Sequence, residues 1–314
     1  MAMASAAAIS SNMLLLKMKR PPLVHPAIEM ATPPMMLHRR PRSSLTTTCA
    51  AVQTSPGKGA VKRRARGNIQ LWTLAPIISI RPANEDKTIF LLTLDLSDAK
   101  EIVDSYTTPG QYLQTSVLPS ESPEKRLPWP AEMCISSAPR SGLHFDLLVR
   151  SVPGTMSELL CNLNVGDLVE LGPIRGNGFA IQNINPPPVA DTVLLFAYRE
   201  GISPVRSLIE YGFDAHERDD VRLYFADKTL RSMPYQDRFK KWESTGVKVE
   251  PLTQSIDEAF LEENVDITNP DSTGAVIVGP DSLKQIVTGY LTDKGVSNEK
   301  ILTIEWSVTD PFQD

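Results

Sequence analysis

Three cysteines and four histidines in 314 residues leave little for metal or disulfide chemistry. Cys134 and Cys161 belong to no Cys-x-x-Cys pair, Cys49 lies near the N-terminus, and the histidines are scattered, so the spacing of a metal site is missing. No run of about eighteen apolar residues occurs, which excludes a membrane-spanning helix on length and leaves a soluble or at most peripheral chain. Acid is the scarce charge at the start. Residues 1–50 hold Lys17, Lys19, Arg20, Arg39, Arg40 and Arg42 against Glu29 alone, among Ala, Ser, Thr, Met and Pro. That is the composition of a transit peptide. Ser43 to Thr48 followed by Cys49-Ala50-Ala51-Val52 resembles a plastid processing site, which points to the chloroplast, with the mitochondrion as the other address for such a composition. Met13-Leu14-Leu15-Leu16 is too short for a secretory h-region and precedes the charges instead of following them.

Net charge is −5 and the first fifty residues carry +5, so the remainder stands near −10. An acidic body is a poor partner for nucleic acid or an anionic membrane surface. A local basic face is available from Lys228, Arg231, Arg238, Lys240 and Lys241.

Length and a hydrophobic content of 41% are sufficient for two packed cores. Short runs rich in β-branched, Leu and aromatic residues, at 71–80, 88–96, 112–118, 133–137, 143–149 and 168–171, predict a small antiparallel barrel. A short helix over 155–163 interrupts it. Gly154-Thr155-Met156-Ser157 puts a permissive glycine and two hydroxyls at that helix start, either an ordinary Thr cap or a place where backbone N–H groups receive phosphate. Pro186-Pro187-Pro188 cannot continue a sheet and marks a boundary. Beyond it strands at 193–197, 221–226, 247–252, 275–278 and 301–305 alternate with helices at 204–211, 235–242, 256–262 and 281–292. This is the pattern of a doubly wound parallel sheet. The expected fold class is therefore β + α/β: a transit peptide at 1–50, a disordered linker at 51–69, the barrel at 70–185, a nucleotide-type domain at 189–308 and a tail at 309–314.

The stretch Val193 to Gly212 carries the nucleotide signal. An apolar strand ends at Gly201, Ser203 stands as N-cap with Pro204 at the first helical position, and Val205, Leu208 and Ile209 share a face. Strand, tight turn and helix N-terminus together aim free N–H groups at an anion, although any α/β protein contains such units.

Taken together, Gly154-Thr155-Met156-Ser157, the run Val165 to Pro173, Gly201-Ile202-Ser203-Pro204 and Val278-Gly279-Pro280 resemble the ferredoxin-NADP reductase-like flavoprotein family. Gly201 to Glu210 and Tyr235 to Phe239 are more closely similar to its plant members called fruit protein pKIWI502-like. The resemblance implies FAD on the barrel, NADPH or NADH on the second domain, and hydride transfer between the two rings. It assigns the flavin phosphates to Gly154, Thr155, Met156 and Ser157, and the nicotinamide nucleotide to Gly201, Ile202, Ser203, Pro204, Gly279 and Pro280. Trp306 matches an aromatic that covers the flavin, or is a core residue.

The chain departs from the family at three places. Where the flavin strand carries Arg-x-Tyr-Ser, this chain reads Ala131-Glu132-Met133-Cys134-Ile135-Ser136-Ser137, so either Cys134 or Ser136 supplies the small polar group near the flavin and Ser137 is a further donor. Where a Thr-Gly-x turn leads into Gly-Ile-Ser-Pro, Tyr198-Arg199-Glu200 leads into Gly201. The cysteine that commonly precedes the late glycine is Val278. Asp227, Lys228, Arg231 and Tyr235 occupy the region that reads the adenosine ribose, with an acid where members preferring NADP place an arginine. The expected function is an FAD-dependent oxidoreductase that takes hydride from NAD(P)H and passes electrons to an unidentified acceptor. An acidic surface favours a small diffusible acceptor over acidic ferredoxin. The alternative is a catalytically degenerate nucleotide-binding or interaction module that keeps the two-domain shell.

Overall fold

The computed structural model describes residues 60–65, 68–118 and 127–306. The expected transit peptide and the terminal tail lie outside the described residues. Both sheets lie within one compact unit.

The first sheet has seven strands. β1 (Ala60–Ala65) pairs antiparallel with the start of the long β2 (Asn68–Pro82), so the segment expected as a linker contains a strand. β3 (Ile89–Asp95), β4 (Tyr112–Val117), β5 (Ala131–Cys134), β6 (His144–Arg150) and β7 (Leu168–Leu171) complete it, in the order β5-β4-β7-β2-β3-β6. β2 serves both halves by bending at an irregularity between Ile77 and Ser79, pairing with β7 before it and β3 after it. An isolated bridge from Ile135 to Leu147 joins the two ends and nearly closes the barrel. Two helices attach to it. α1 (Lys100–Ser105), which the strand pattern hides, buries Ile102 and Val103 in the barrel core, and α2 (Met156–Cys161) is the helix expected after Gly154.

The second sheet is wholly parallel, in the order β10-β9-β8-β11-β12. Its strands are β8 (Thr192–Tyr198), β9 (Asp220–Ala226), β10 (Val247–Leu252), β11 (Thr273–Val278) and β12 (Ile301–Leu302). Crossover helices α3 (Ile202–Tyr211), α4 (Phe239–Ser244), α5 (Glu258–Asn264) and α6 (Asp281–Asp293) connect them. The order reverses between β8 and β11, and the carboxyl ends of those strands form the crevice in which such sheets receive ligands. α4 starts later than its sequence pattern suggests because Tyr235 holds a left-handed backbone, φ 65°, which a helix cannot include. Gly212 ends α3 at φ 89°, the conformation a glycine cap supplies most easily.

Packing ties the two sheets together. Ile89, Leu91, Cys134 and Leu148 of the barrel share one apolar cluster with Ile202 and Val205 of α3 and with Leu223, Phe225 and Val278 of the parallel sheet. α3 lies in that cluster, buried from Ile202 through Ile209. No described helix is long and apolar enough to cross a membrane.

Candidate functional site

The turn before α2 retains the shape of an anion cradle. Gly154 adopts φ 76°, and a Cβ built there meets nothing within 4 Å, so open space lies over the turn. Thr155, the residue before α2, makes no side-chain cap to the helix, which leaves the first amides of α2 without that partner. Its hydroxyl instead bonds Val152 O and the Ser157 hydroxyl, each at 2.7 Å. The Gly154 N–H donates to Glu158 Oε2 at 2.7 Å in an exposed contact, so a diphosphate entering this turn displaces a carboxylate that already marks the anion position. Met156 is buried in the barrel core and anchors the helix. The phosphate end of a flavin dinucleotide therefore fits the turn.

The ring end is different. Met133 lies in the barrel core. Cys134 is buried on the opposite side, in the cluster shared with α3. Ser136 is 0% exposed, and its hydroxyl is 2.7 Å from Tyr235 OH and 3.4 Å from Arg206 Nη1. Ser137 Oγ accepts the Asp146 N–H at 3.1 Å, while its carbonyl accepts from Tyr106 OH and Ser207 Oγ. Both serines thus belong to a buried polar network between the sheets, and Cys134, 3% exposed, is buried at the end of β5 just before them. Trp306 rests partly buried beside the same strand, its Nε1 donating to Glu132 O at 3.3 Å, and packs against the shared cluster with Tyr112.

Burial pushes the Cys134 thiol well above its ordinary pKa, with the Glu132 carboxylate adding to the shift, and pushes Cys161 up to about 12. A raised thiol pKa means that the thiolate is scarce at neutral pH. Native protein at pH 8 is expected to resist iodoacetamide at Cys134 and Cys161 and to react there on unfolding, as read by peptide mass mapping; fast alkylation of Cys134 in the folded state would contradict this burial.

Arg206 is the centre of the network, and sequence reading passed over it as one residue within α3. Its Nη2 donates to Asp146 Oδ2 at 2.7 Å, its Nε to Glu210 Oε2 at 3.2 Å and its Nη1 to Tyr235 OH at 3.3 Å, with the guanidinium over the Tyr235 ring. Burial opposes the charge, but Tyr235, Glu210 and Asp146 outweigh it and hold the pKa above the ordinary arginine value. Tyr106 OH meets Ser207 Oγ at 2.6 Å one residue further along. An arginine in an otherwise apolar helix stripe is the signal that was available in the sequence.

Around the crevice, the turn after β8 is a short helical turn, Arg199–Gly201, continuous with α3. Ser203 is therefore inside α3 and not its cap; its hydroxyl donates to Cys134 O at 3.3 Å, and Ile202 and Pro204 are buried beside it. A Cβ on Gly201 would lie 2.5 Å from Val278 O, so this glycine is required by close approach of the turn to the end of β11. A Cβ on Gly279 would lie 2.6 Å from the end of the Leu283 side chain, which can move aside, and 3.1 Å from Tyr198 Cβ; Pro280 precedes α6. Arg199 takes φ 52° with its side chain buried, where the family offers glycine.

The loop after β9, expected at the adenosine ribose, is clasped by the barrel. Asn84 Nδ2 donates to Ser232 O, Glu85 and Asp86 N–H groups point at Arg231 O, and Tyr235 N–H donates to Ala83 O. The Arg231 guanidinium stays exposed and pairs with Glu85 and Asp86. Asp227, at the end of β9, is buried; its Oδ1 accepts the Lys228 N–H at 2.7 Å, and its Oδ2 lies 3.8 Å from Arg150 Nη2. The same Arg150, at the end of β6, pairs through Nε with Glu200. Asp227 is thus turned toward the barrel and not toward solvent. Among the described residues, no cluster of His, Cys, Asp and Glu could hold a metal.

The chain is 39% identical over 254 residues, 76% of its length, to fruit protein pKIWI502 of Actinidia deliciosa, of which it covers 79%. It belongs to that family. Among solved structures, a ferredoxin NADP+ reductase from Neisseria gonorrhoeae with bound FAD and NADP aligns with TM-score 0.59 at 15% identity, covering 75% of this chain and 98% of that one. The flavohem-like FAD/NAD binding domain of a nitric oxide dioxygenase from Vibrio cholerae aligns with TM-score 0.57 at 17% identity, covering 75% and 98%. No family model matches the chain. The family member thus has the two-domain fold of ferredoxin-NADP reductase-like, FAD- and NAD(P)-binding proteins.

Proposed function

We propose that this chain is a flavin-dependent oxidoreductase that binds FAD on its barrel and exchanges hydride with NADPH or NADH at the crevice of its parallel sheet. The observation that carries the reading is the open turn at Gly154, whose N–H already holds a carboxylate. Gly154, Thr155, Met156 and Ser157 would hold the diphosphate through backbone N–H groups and hydroxyls at the start of α2. Bound FAD would accept hydride from the dinucleotide and release electrons singly or in pairs. The residues of this chain shape that exchange. Trp306 and Cys134 border the ring position, Trp306 excluding water from it, while the protonated Cys134 thiol offers a weak, uncharged donor. A composition suited to a plastid address favours NADPH, and an acidic surface favours a small diffusible acceptor. A degenerate binding module is the second reading, favoured by the ion pairs of Arg150 at the crevice.

Titration with FAD tests the proposal. Flavin fluorescence should be quenched on binding, and the melting temperature should rise, since a ligand at about a hundred times its Kd stabilises by roughly 2.7 kcal/mol. Gly154→Phe, which fills the open space and cannot hold φ 76° without strain, should lose both responses. No change in fluorescence or melting temperature with the parent protein would remove the flavin reading.

A further inference from the structure

On its β9 side, the crevice beyond the end of β8 is crossed by charge. Glu200, in the turn after β8, and Asp227, at the end of β9, are both drawn to Arg150 from the end of β6. The side chains are 12%, 1% and 16% exposed respectively, so the group is largely removed from water. Asp227 Oδ2 and Arg150 Nη2 make no hydrogen bond and are joined only as an ion pair at 3.8 Å, a contact that leaves capacity unused on both sides. Neighbouring elements add to the barrier. Arg199 keeps a buried side chain in the left-handed region, and the loop at 231–235 is pinned to the β2–β3 hairpin.

We infer that Arg150, Glu200 and Asp227 form a latch across the crevice, and that Glu200 and Asp227 are the residues that decide whether a dinucleotide enters. The inference rests on the crevice being the dinucleotide site. A pyrophosphate binds where N–H groups converge and carboxylates are absent. In this chain the turn that would meet it carries a carboxylate, and the ribose side carries a second. Arg150 neutralises part of that charge but spans from the barrel, so a pyrophosphate enters only if Arg150 exchanges its carboxylates for phosphate oxygens. Arginine suits such an exchange because its planar fork binds either anion in the same geometry. The latch thus weakens dinucleotide binding in the resting protein and places an arginine beside the phosphates once it opens. Pyrophosphate is common to NADPH and NADH, so Glu200 acts on both alike.

Isothermal titration of the full chain with NADPH and with NADH tests the latch. Glu200→Gln keeps the shape and removes the charge; the double variant Arg199→Gly/Glu200→Ser returns the turn to small residues and serves if the first fails to fold. Either should bind both dinucleotides at least tenfold more tightly than the parent. Equal affinity in parent and variants, or weaker binding in the variants, overturns the latch. FAD affinity is measured on the same proteins. If FAD binds and dinucleotide affinity does not move, the latch falls and the flavin reading stands; if no protein takes FAD and dinucleotide affinity rises, the reverse holds.

Discussion

Replacing Arg206 with leucine is expected to lower the melting temperature by roughly 10 °C. The guanidinium is buried and bonded to Asp146, Glu210 and Tyr235, and its loss leaves Asp146 as an uncompensated buried charge. Breaking a buried pair by removing one partner costs about 3–5 kcal/mol. In a domain of this size each kcal/mol moves the midpoint by about 2–4 °C. Asp146 keeps a hydrogen bond from Thr93 Oγ1 at 2.7 Å, which sets the loss toward the lower end of that range. The double variant Arg206→Leu/Asp146→Asn should recover at least half of the deficit, because the orphaned charge goes with its partner. Calorimetry on the three proteins checks both statements. A double variant no better than the single one would mean that Arg206 acts by volume and not by charge.

Arg218→Met is expected to loosen the connection between the sheets and to make it the first site of proteolysis. Arg218 donates to the carbonyls of Phe213, Ile184 and Ala190 and to Asn185 Oδ1, with its guanidinium over the Phe213 ring. It gathers the segment 184–190 onto the sheet without a carboxylate among those four acceptors. Methionine fills much of the volume but satisfies none of the carbonyls, and each buried acceptor left unpaired costs about 1–3 kcal/mol. Limited proteolysis followed by mass spectrometry should map the first cut to 184–190 in the variant and not in the parent. Arg218→Lys should rescue partly, since an ammonium carries three donors on a stem that cannot reproduce the fork. An unchanged cleavage map would show that the prolines alone hold this segment.

The strands and helices were readable because each has its own period. The run at 193–197 is continuous apolar sequence and became a central strand, while Thr93-Leu94-Asp95-Leu96 alternates at the end of a strand that lines the barrel. α1 was missed since six residues with two buried ones carry too little periodicity to register. At the site the legible part was the glycines. Gly154 and Gly201 sit where a side chain is strained or excluded and Gly279 where one is crowded, although Gly201 and Gly279 are hemmed in by the protein's own packing and not by approach of a ligand. Ser203 looked like a cap because Pro follows it; the preceding turn instead continued into α3, which no local rule specifies. Arg150, Asp146 and Tyr106 could not be recognised at all, since each acquires its role from a partner far away in the chain.

α3 buries eight consecutive residues, Ile202 through Ile209, in a region where barrel and parallel-sheet side chains form one core. An ordinary surface helix has a wet side on which substitutions accumulate without effect. This one has no such side along most of its length. A change suited to the barrel is judged at once by the parallel sheet, so adjustments to α3 must come as matched changes across both, and the helix is where the two halves of the molecule are bound to vary together.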